Sequence, residues 1–453
     1  MLYAFVRLWI RLALSVFFRQ IEVVGQENLG KDGERALLLA GNHPNSLLDP
    51  ALIVATCDRH VHLLGKDVLF KSPVLRPILR ALGAVPVQRK MDHAGEHLDN
   101  RGAFEVLAQV LAAGGAMGIF PEGISHDEAQ LQKIKTGAAR IVLETVKKYD
   151  QPVDVVPVGL TYLNPKRFRS RVLVQYGDPI VVGPDLVELW LRDEPAAVRD
   201  LTQKVQTALR ALTVNAVDWE TLRVLDAVRR LYQPPGVTLW QRVELARRFN
   251  EVYPTVQNRP EVVALVERVR NYQGHLEDLG LTDRDLQREL RWPEILGRGV
   301  MLALDTLFWL PLALPGLALQ APVAGLVRWA VRFSPRKDVV ATTKLVLGLL
   351  LAPILLAVMT LLVAANFGNK WGILVAILLP LGAYAALRTL ERGVAFQRRL
   401  HAAWRMTAFR EAYQALRQER EKLQDDIITL VDQLRPAEMT PLFEQPLPTR
   451  EEP

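Results

Sequence analysis

Short apolar runs alternate with amphipathic stretches through the first part of the chain. Runs typical of buried strands lie at 36–40, 82–89, 115–120, 153–162 and 171–176. Helical periodicity lies near 67–80, 94–113 and 133–149. Because strands that alternate with helices are typical of parallel sheets, this pattern predicts an α/β domain with a mainly parallel sheet over residues 21–182.

Two uncharged stretches near the carboxyl end are long enough to cross a membrane. Residues 345–365 and 371–387 hold no charged side chain, and about 20 apolar residues span a hydrocarbon core of about 30 Å. The short linker between them predicts a transmembrane hairpin. Basic residues flank the pair on both sides, for example Lys337 and Arg398. The positive-inside rule therefore predicts that both ends of the hairpin lie in the cytoplasm.

The stretch 300–327 is also apolar, but it contains Asp305 and is interrupted by prolines. It fits either one kinked span or a re-entrant hairpin that enters and leaves the same leaflet. Cations at both ends, Arg298 and Arg328, favour the re-entrant hairpin, because a single span would place one of them outside. We therefore predict a membrane region over 298–390 with a re-entrant segment at 300–327.

The remaining segments are assigned from charge and periodicity. Residues 1–20 are apolar, with Arg7 and Arg11 one turn apart. This pattern predicts a helix in the membrane interface whose arginines reach the headgroups, and a helix packed on the α/β domain is the alternative. The other predictions are a helical cytosolic region at 183–297, a cytosolic helix at 391–435 and a disordered tail at 436–453.

Composition agrees with a protein that works at a membrane. The chain has 453 residues, of which 50% are hydrophobic and 23% charged, with a net charge of +7. This positive charge suits an anionic lipid surface, and no zinc-finger, helix–turn–helix or RNA-binding motif indicates a nucleic acid partner. The single cysteine, Cys57, rules out a disulfide framework, and the histidine spacing predicts no metal site.

The most informative polar residues follow the first predicted strand, in the block GNHPNSLLDP at 41–50. His43 and Asp49 would point in different directions on one continuous helix, so a pair requires a turn through Pro44. In such a turn Asp49 can orient the imidazole and leave its other nitrogen as a base near neutral pH. Two registers fit the helix that follows: Ser46 is its N-cap and Asp49 its third residue, or Asp49 is its N-cap and Pro50 its first residue, in which case Asp49 only caps the helix.

Four segments in this order resemble the motifs of the glycerolipid acyltransferase family, which includes glycerol-3-phosphate and lysophosphatidate acyltransferases. The His43–Asp49 block resembles the first motif, 83–89 the second, FPEGIS at 120–125 the third and VPVG at 156–159 the fourth; KTGA at 135–138 matches a stretch after the third. The commonest family pattern has four residues between His and Asp. This chain has five and a proline after the Asp, which is similar to the yeast-type glycerol-3-phosphate/dihydroxyacetone-phosphate acyltransferases.

The resemblance covers about a third of the chain and implies a PlsC-like α/β acyltransferase domain of phospholipid biosynthesis. Together with the polar helical region, the uncharged stretches and their basic flanks, it predicts a multi-pass membrane protein with a helical insertion, carboxyl-terminal transmembrane helices and a catalytic domain on the cytoplasmic face. The reaction would move a fatty acyl group from acyl-CoA or acyl carrier protein to a hydroxyl of glycerol-3-phosphate or 1-acylglycerol-3-phosphate. No cofactor is implied beyond the acyl donor.

The resemblance also implies roles for particular residues. His43 would be the base and Asp49 its orienting group. Substrate binding would fall to Lys66 and Arg89, which can hold a phosphate, and to Pro121, Glu122 and Gly123. Two other classes stay open: a non-catalytic lipid-binding membrane protein that kept the fold, and a membrane-associated hydrolase with a serine nucleophile.

Overall fold

The computed structural model describes residues 2–31, 35–73, 75–88, 101–287, 292–334 and 336–443. The chain divides into two compact units. The first comprises Met1–Trp219, Thr238–Arg247 and Ser334–Thr342, and the second comprises Glu220–Val237, Arg248–Phe333 and Thr343–Pro453. The sequence prediction cut the chain into consecutive domains, whereas the first unit takes in two short segments from far along the sequence.

The first unit is built around one sheet. Its strands are β1 (Phe18–Val24), β2 (Ala36–Gly41), β3 (Val61–Lys66), β4 (Val85–Val87), β5 (Ala116–Ile119), β6 (Val153–Tyr162), β7 (Ser170–Tyr176) and β8 (Ile180–Val181). Its helices are α1 (Leu2–Phe17), α2 (Leu48–Thr56), α3 (Leu75–Ala81), α4 (Arg101–Ala112), α5 (Gly137–Tyr149), α6 (Pro184–Arg192) and α7 (Glu194–Leu212).

Within the described residues, eight strands form one mixed sheet in the order β1-β7-β6-β2-β5-β3-β4, with β8 paired to β6. β2 lies between β5 and β6 and runs parallel to both. The pairs β6–β7 and β6–β8 are antiparallel, and the other described pairs are parallel. The predicted α/β class with a mainly parallel sheet is therefore confirmed.

The central strand is buried at every position, because helices cover the sheet. Leu38 of β2 and Met117 of β5 pack in one apolar cluster with Leu107 of α4, Val142 of α5 and Leu201 of α7. Ala36, Leu38 and Ala40 face this cluster, and Leu37 and Leu39 on the opposite face are buried as well, so residues 36–40 form an unbroken apolar run rather than an alternating one. The cluster holds β2 and β5 side by side beneath the loops that follow them.

Helix α1 packs on the first unit along one side and is exposed along the other. Arg7 Nε donates to Val54 O at 3.0 Å and Arg11 Nε donates to Ala55 O at 2.7 Å, so both arginines bind carbonyls near the end of α2. The prediction that they reach lipid headgroups is therefore wrong, because α2 ends beside them. The other side of α1 exposes Leu2, Phe5, Leu8, Trp9, Leu12 and Val16.

The second unit is helical. Its helices are α10 (Pro260–Asp278), α11 (Asp283–Leu286), α12 (Trp292–Val331), α14 (Asn369–Ala408) and α15 (Arg410–Leu434), with most of α8 (Trp219–Tyr232) and α13 (Val340–Phe367) and part of α9 (Leu239–Val256). Among the described residues, three helices are long and apolar enough to cross a membrane: Trp292–Ala318, Lys337–Phe367 and Asn369–Ala408.

Helix α12 is continuous through Pro311, Pro315 and Pro322. The chain does not reverse between 300 and 327, so the predicted re-entrant hairpin is wrong and this stretch forms one helix. The prolines were interpreted as reversals, but apolar helices tolerate them when neighbouring helices supply packing. That neighbour is α14: a Cβ added at Gly316 would lie 2.0 Å from the carbonyl carbon of Gly382.

Helix α14 also runs past the predicted domain boundary at 390. It continues from Asn369 to Ala408 without a break, and α15 follows directly. The predicted cytosolic helix at 391–435 therefore corresponds to the end of α14 plus α15. The predicted tail at 436–453 falls mostly outside the described residues.

Candidate active site

The sheet order brings two polar loops together. β2 and β5 are adjacent and parallel, with Ala40 opposite Ile119, so the loops after both strands leave the same edge of the sheet. His43 lies in the first loop and Glu122 in the second. After these two adjacent strands the chain continues in opposite directions along the sheet, from β2 to β3 and from β5 to β6, and open α/β sheets place their ligands at such a point.

His43 and Asp49 form a buried hydrogen-bonded pair. The Nδ1 of His43 lies 2.7 Å from Oδ2 of Asp49. His43 is 8% exposed and Asp49 is fully buried. Because the carboxylate only accepts, this contact places the proton on Nδ1 and leaves Nε2 as the basic nitrogen. Among the described residues no hydrogen bond occupies Nε2.

A tight turn makes this pairing possible. Leu48 N–H donates to Asn45 O at 3.1 Å, and Ser46 adopts a left-handed conformation with φ of 49°. Helix α2 begins only at Leu48, so Asp49 is its second residue rather than its cap. The predicted turn after His43 is confirmed, and both predicted helix registers are wrong, because the N-cap is Leu47 rather than Ser46 or Asp49.

Two further donors hold the Asp49 carboxylate in place. The main-chain N–H of Asn45 donates to Oδ2 at 2.7 Å, and the Tyr162 hydroxyl donates to Oδ1 at 2.5 Å. Burial raises the pKa of Asp49, and the bonds from His43, Tyr162 and Asn45 oppose that rise. Burial and the neighbouring Asp49 also raise the pKa of the Tyr162 hydroxyl, which keeps it a donor.

Glu122 links the two loops through hydrogen bonds to their main chains. Its Oε1 accepts the main-chain N–H of His43 at 2.8 Å, and its Oε2 accepts the N–H of Gln132 at 2.9 Å and contacts the His126 ring. Burial lowers the pKa of His126, but the hydrogen bond and the negative charge of Glu122 raise that pKa by more, so the net shift is upward. Glu122 is 3% exposed and holds the main-chain N–H groups of His43 and Gln132, while its role in substrate binding stays a prediction.

The ring of His43 is also fixed from its face and from its chain neighbours. Phe120 stacks on it with ring centroids 4.2 Å apart and an interplanar angle of 16°. The Asn42 side chain bonds to both the N–H and the carbonyl of Leu160 in β6, at 2.7 and 3.1 Å. These contacts restrict the imidazole to one orientation before any ligand arrives.

Of the predicted phosphate-binding cations, Lys66 lies along the same edge of the sheet. Lys66 is the last residue of β3, which pairs with β5. Arg89 follows β4 and lies outside the described residues. Pro121 is buried, and Gly123 has a φ of 76°. A Cβ at Gly123 would lie 2.4 Å from the Lys135 ammonium, so that ammonium rests against the glycine.

Sequence reasoning missed Asn42, Lys135 and Tyr162. Tyr162 and Asp49 are separated by 113 residues, and no local pattern marks them as partners. Lys135 carries a sequence signal, since it opens the KTGA stretch after the third motif. Asn42 precedes His43 directly, but its role depends on β6 lying beside β2.

Ser125 and Cys57 are side chains of the first unit that could act as nucleophiles, and the surroundings of both argue against that role. The Ser125 hydroxyl donates to Asp338 Oδ2 at 2.5 Å, and within the described residues no imidazole bonds to it. Cys57 is buried, and its burial raises the pKa of the thiol, which disfavours the reactive thiolate. Neither arrangement matches a base-activated nucleophile.

Two family models match separate parts of the chain. Residues 20–161 match the acyltransferase family, and residues 224–439 match the glycerol-3-phosphate acyltransferase 2 C-terminal domain. The first match contains His43, Asp49 and Glu122, and the second contains most of the second unit.

Curated relatives carry similar descriptions. An uncharacterized acyltransferase of Schizosaccharomyces pombe is 25% identical, over 96% of this chain and 82% of its own. Glycerol-3-phosphate O-acyltransferases 2 and 1 of Saccharomyces cerevisiae are 35% and 31% identical over 57% and 60% of this chain. The match spans only 38% of the length of each of these two. Together the matched models and relatives show that the chain belongs to the glycerolipid acyltransferase family, a family of O-acyltransferases.

Proposed function

We propose that this protein transfers a fatty acyl group from a thioester, acyl-CoA or acyl carrier protein, to a hydroxyl of glycerol-3-phosphate. The observation that carries the reaction type is the buried pair of His43 Nδ1 and Asp49 Oδ2 at 2.7 Å. Glycerol-3-phosphate is favoured over 1-acylglycerol-3-phosphate because five residues separate the pair and the two S. cerevisiae relatives are named for that acceptor.

The chemistry needs one base and no covalent enzyme intermediate. The acceptor hydroxyl gives its proton to Nε2 of His43 as its oxygen attacks the thioester carbonyl carbon. The C–S bond then breaks, and the proton passes from the imidazolium to the leaving thiolate. The products are an ester and a free thiol. Asp49 stabilises the imidazolium while it exists, because the positive charge forms 2.7 Å from a carboxylate oxygen.

The acceptor phosphate would bind at the cations that edge the site. Lys135 supports this role because its ammonium rests against Gly123, one residue after Glu122. Lys66 at the end of β3 adds a second cation to this edge, and Arg89, which follows β4 in the sequence, is proposed as a third. Arginine can grip a phosphate through two parallel hydrogen bonds, whereas lysine contributes a point charge.

The reaction would take place at a membrane surface. Three candidate spanning helices among the described residues support membrane attachment. The exposed apolar side of α1, with Phe5 and Trp9, supports contact of the first unit with the bilayer interface. The basic residues that flank 345–387 support a catalytic domain on the cytoplasmic face.

An acceptor panel tests the proposal. Purified full-length protein in detergent is given labelled palmitoyl-CoA or palmitoyl carrier protein with glycerol-3-phosphate, dihydroxyacetone phosphate or 1-acylglycerol-3-phosphate. We expect the highest kcat/KM for glycerol-3-phosphate and no turnover above background by His43→Ala. A higher kcat/KM for 1-acylglycerol-3-phosphate would overturn the acceptor assignment.

The same preparation separates the two other classes. A non-catalytic lipid-binding protein would consume no thioester with any acceptor. A serine hydrolase would be labelled by a fluorophosphonate probe, and Ser125→Ala would abolish the labelling. We expect thioester consumption that depends on the acceptor and no such labelling.

A further inference from the structure

A short segment from far along the sequence contacts both loops of the active site. Residues 336–342 belong to the first compact unit, although they follow α12 and include the start of α13. Asp338 and Thr342 are each 6% exposed, and Ala341 between them is fully buried. The segment is thus packed inside the unit that carries His43.

Thr342 holds the turn between His43 and Asp49. Its hydroxyl oxygen accepts the main-chain N–H of Leu47 at 3.2 Å and lies 3.5 Å from Asn45 O. These two groups flank Ser46, whose φ of 49° is unfavourable for a residue with a Cβ. A conformation of this kind persists when its surroundings fix it, and Thr342 supplies one such restraint on both sides of Ser46.

Asp338 holds the second loop. Its carboxylate accepts the Ser125 hydroxyl at 2.5 Å and the Arg336 guanidinium at 3.0 Å. Ser125 lies in the loop that also carries Glu122, which binds the main-chain N–H of His43. Arg336 offsets the charge of the buried Asp338, so the contact persists in the low dielectric of the interior.

We propose that residues 336–342 are a positioning segment of the active site, with Thr342 fixing the loop of His43 and Asp49 and Asp338 fixing the loop of Glu122. Neither residue touches a reacting atom. The segment continues directly into α13, one of the candidate membrane helices, so the catalytic loops are tied to a stretch of chain that the membrane would hold. The inference rests on the proposed roles of His43 and Asp49.

Substitutions at Thr342 test the first contact. Thr342→Val keeps the shape and removes the hydroxyl, so we expect kcat to fall about tenfold while KM for both substrates stays within twofold. Thr342→Ser restores the hydroxyl and should return kcat to within threefold of wild type. Thr429→Val is the matched control, because that exposed hydroxyl donates to the Asp425 carbonyl of its own helix. Wild-type kcat in Thr342→Val would overturn the proposal.

A double-variant cycle tests the second contact. Ser125→Ala and Asp338→Asn should each lower kcat, and the double variant should be no slower than the slower single variant. If the two losses multiply, the residues act independently and the pairing role of Asp338 is wrong.

A readout without turnover keeps this inference distinct from the proposed function. Diethyl pyrocarbonate modifies accessible histidines, and mass spectrometry follows its rate at His43. Loosening the turn should raise that rate at least threefold in Thr342→Val and leave it unchanged in Thr429→Val. If the wild-type protein acylates no acceptor, the proposed function fails, whereas an unchanged His43 rate in Thr342→Val would refute the positioning role.

Discussion

At the scale of single residues, Asp49 is a carboxylate with no exposed surface and three hydrogen-bond donors. Burial of this carboxylate lowers the free energy of unfolding, but it also places the negative charge where it can orient the His43 imidazole. Since burial raises its pKa, the folded chain holds the Asp49 proton more tightly than the unfolded chain does. Ionisation of Asp49 therefore lowers the free energy of unfolding as the pH rises above the unfolded value of about 3.9.

Asp49→Asn should separate activity from stability. We expect kcat to fall roughly 10³- to 10⁴-fold, because an amide cannot stabilise the imidazolium or enforce the same tautomer. The melting temperature at pH 7 should equal or exceed that of the wild type, and any gain should shrink toward pH 4. A variant that loses activity and melts well below wild type at pH 7 would contradict this account.

Tyr162 should act through Asp49 rather than on substrate. Tyr162→Phe removes the hydroxyl that donates to Oδ1 at 2.5 Å and leaves the ring in place. We expect kcat to fall about tenfold with KM unchanged, as measured with saturating thioester and varied acceptor. The matched control is Tyr149→Phe. Tyr149 is the last residue of α5, and its hydroxyl donates to Glu105 of α4. Equal losses in the two variants would argue against a specific role.

The catalytic pair could be predicted from sequence, whereas its supports could not. His43 and Asp49 lie in one short block, so their spacing alone required a turn. Asn42, Tyr162 and Thr342 find their partners across separations of 118, 113 and 295 residues. Such contacts follow from the sheet order and from chain packing, which single-sequence patterns do not encode.

At the scale of elements, the strands that coincide with an apolar run were predicted, and the strands without such a run were not. β2, β6 and β7 stand out as apolar runs, and all three occur where predicted. β1 alternates polar and apolar positions directly after α1, and β3 ends in Gly65 and Lys66, so neither has that signal. The second motif at 83–89 contains strand only at Val85–Val87.

The close crossing of α12 and α14 predicts a position-specific effect of glycine. Gly316→Ala would place a Cβ 2.0 Å from the Gly382 carbonyl carbon, so the helices must separate and the melting temperature in detergent should fall. Gly325→Ala in the same helix meets no atom within 4 Å and should raise helix stability by up to about 1 kcal/mol. The same change in both variants would contradict the close packing.

At the scale of the whole molecule, the account describes an acyltransferase unit whose chain continues into apolar helices. Composition and charge predicted this organisation, because uncharged stretches of spanning length are visible in sequence. The return of 334–342 to the first unit was not predictable, since it depends on a few polar contacts rather than on a pattern.

Membrane topology gives a prediction at this scale. If α13 and α14 form a hairpin, their connection at Asn366 lies opposite the catalytic face. In sealed inside-out vesicles, Asn366→Cys should be protected from a membrane-impermeant maleimide until detergent is added. Glu144→Cys, on the exposed side of α5, should react at once. Equal labelling of both before detergent would contradict the hairpin.

The most direct test is the acylation of labelled glycerol-3-phosphate by palmitoyl-CoA, with wild-type protein, His43→Ala and the exposed control His401→Ala purified side by side. The account predicts turnover by wild type and His401→Ala, and a loss of at least about 10³-fold in kcat for His43→Ala at an unchanged melting temperature. Because a lost general base lowers kcat by roughly 10²- to 10⁴-fold, residual activity of His43→Ala above about one-tenth of wild type would contradict the central role of the His43–Asp49 pair.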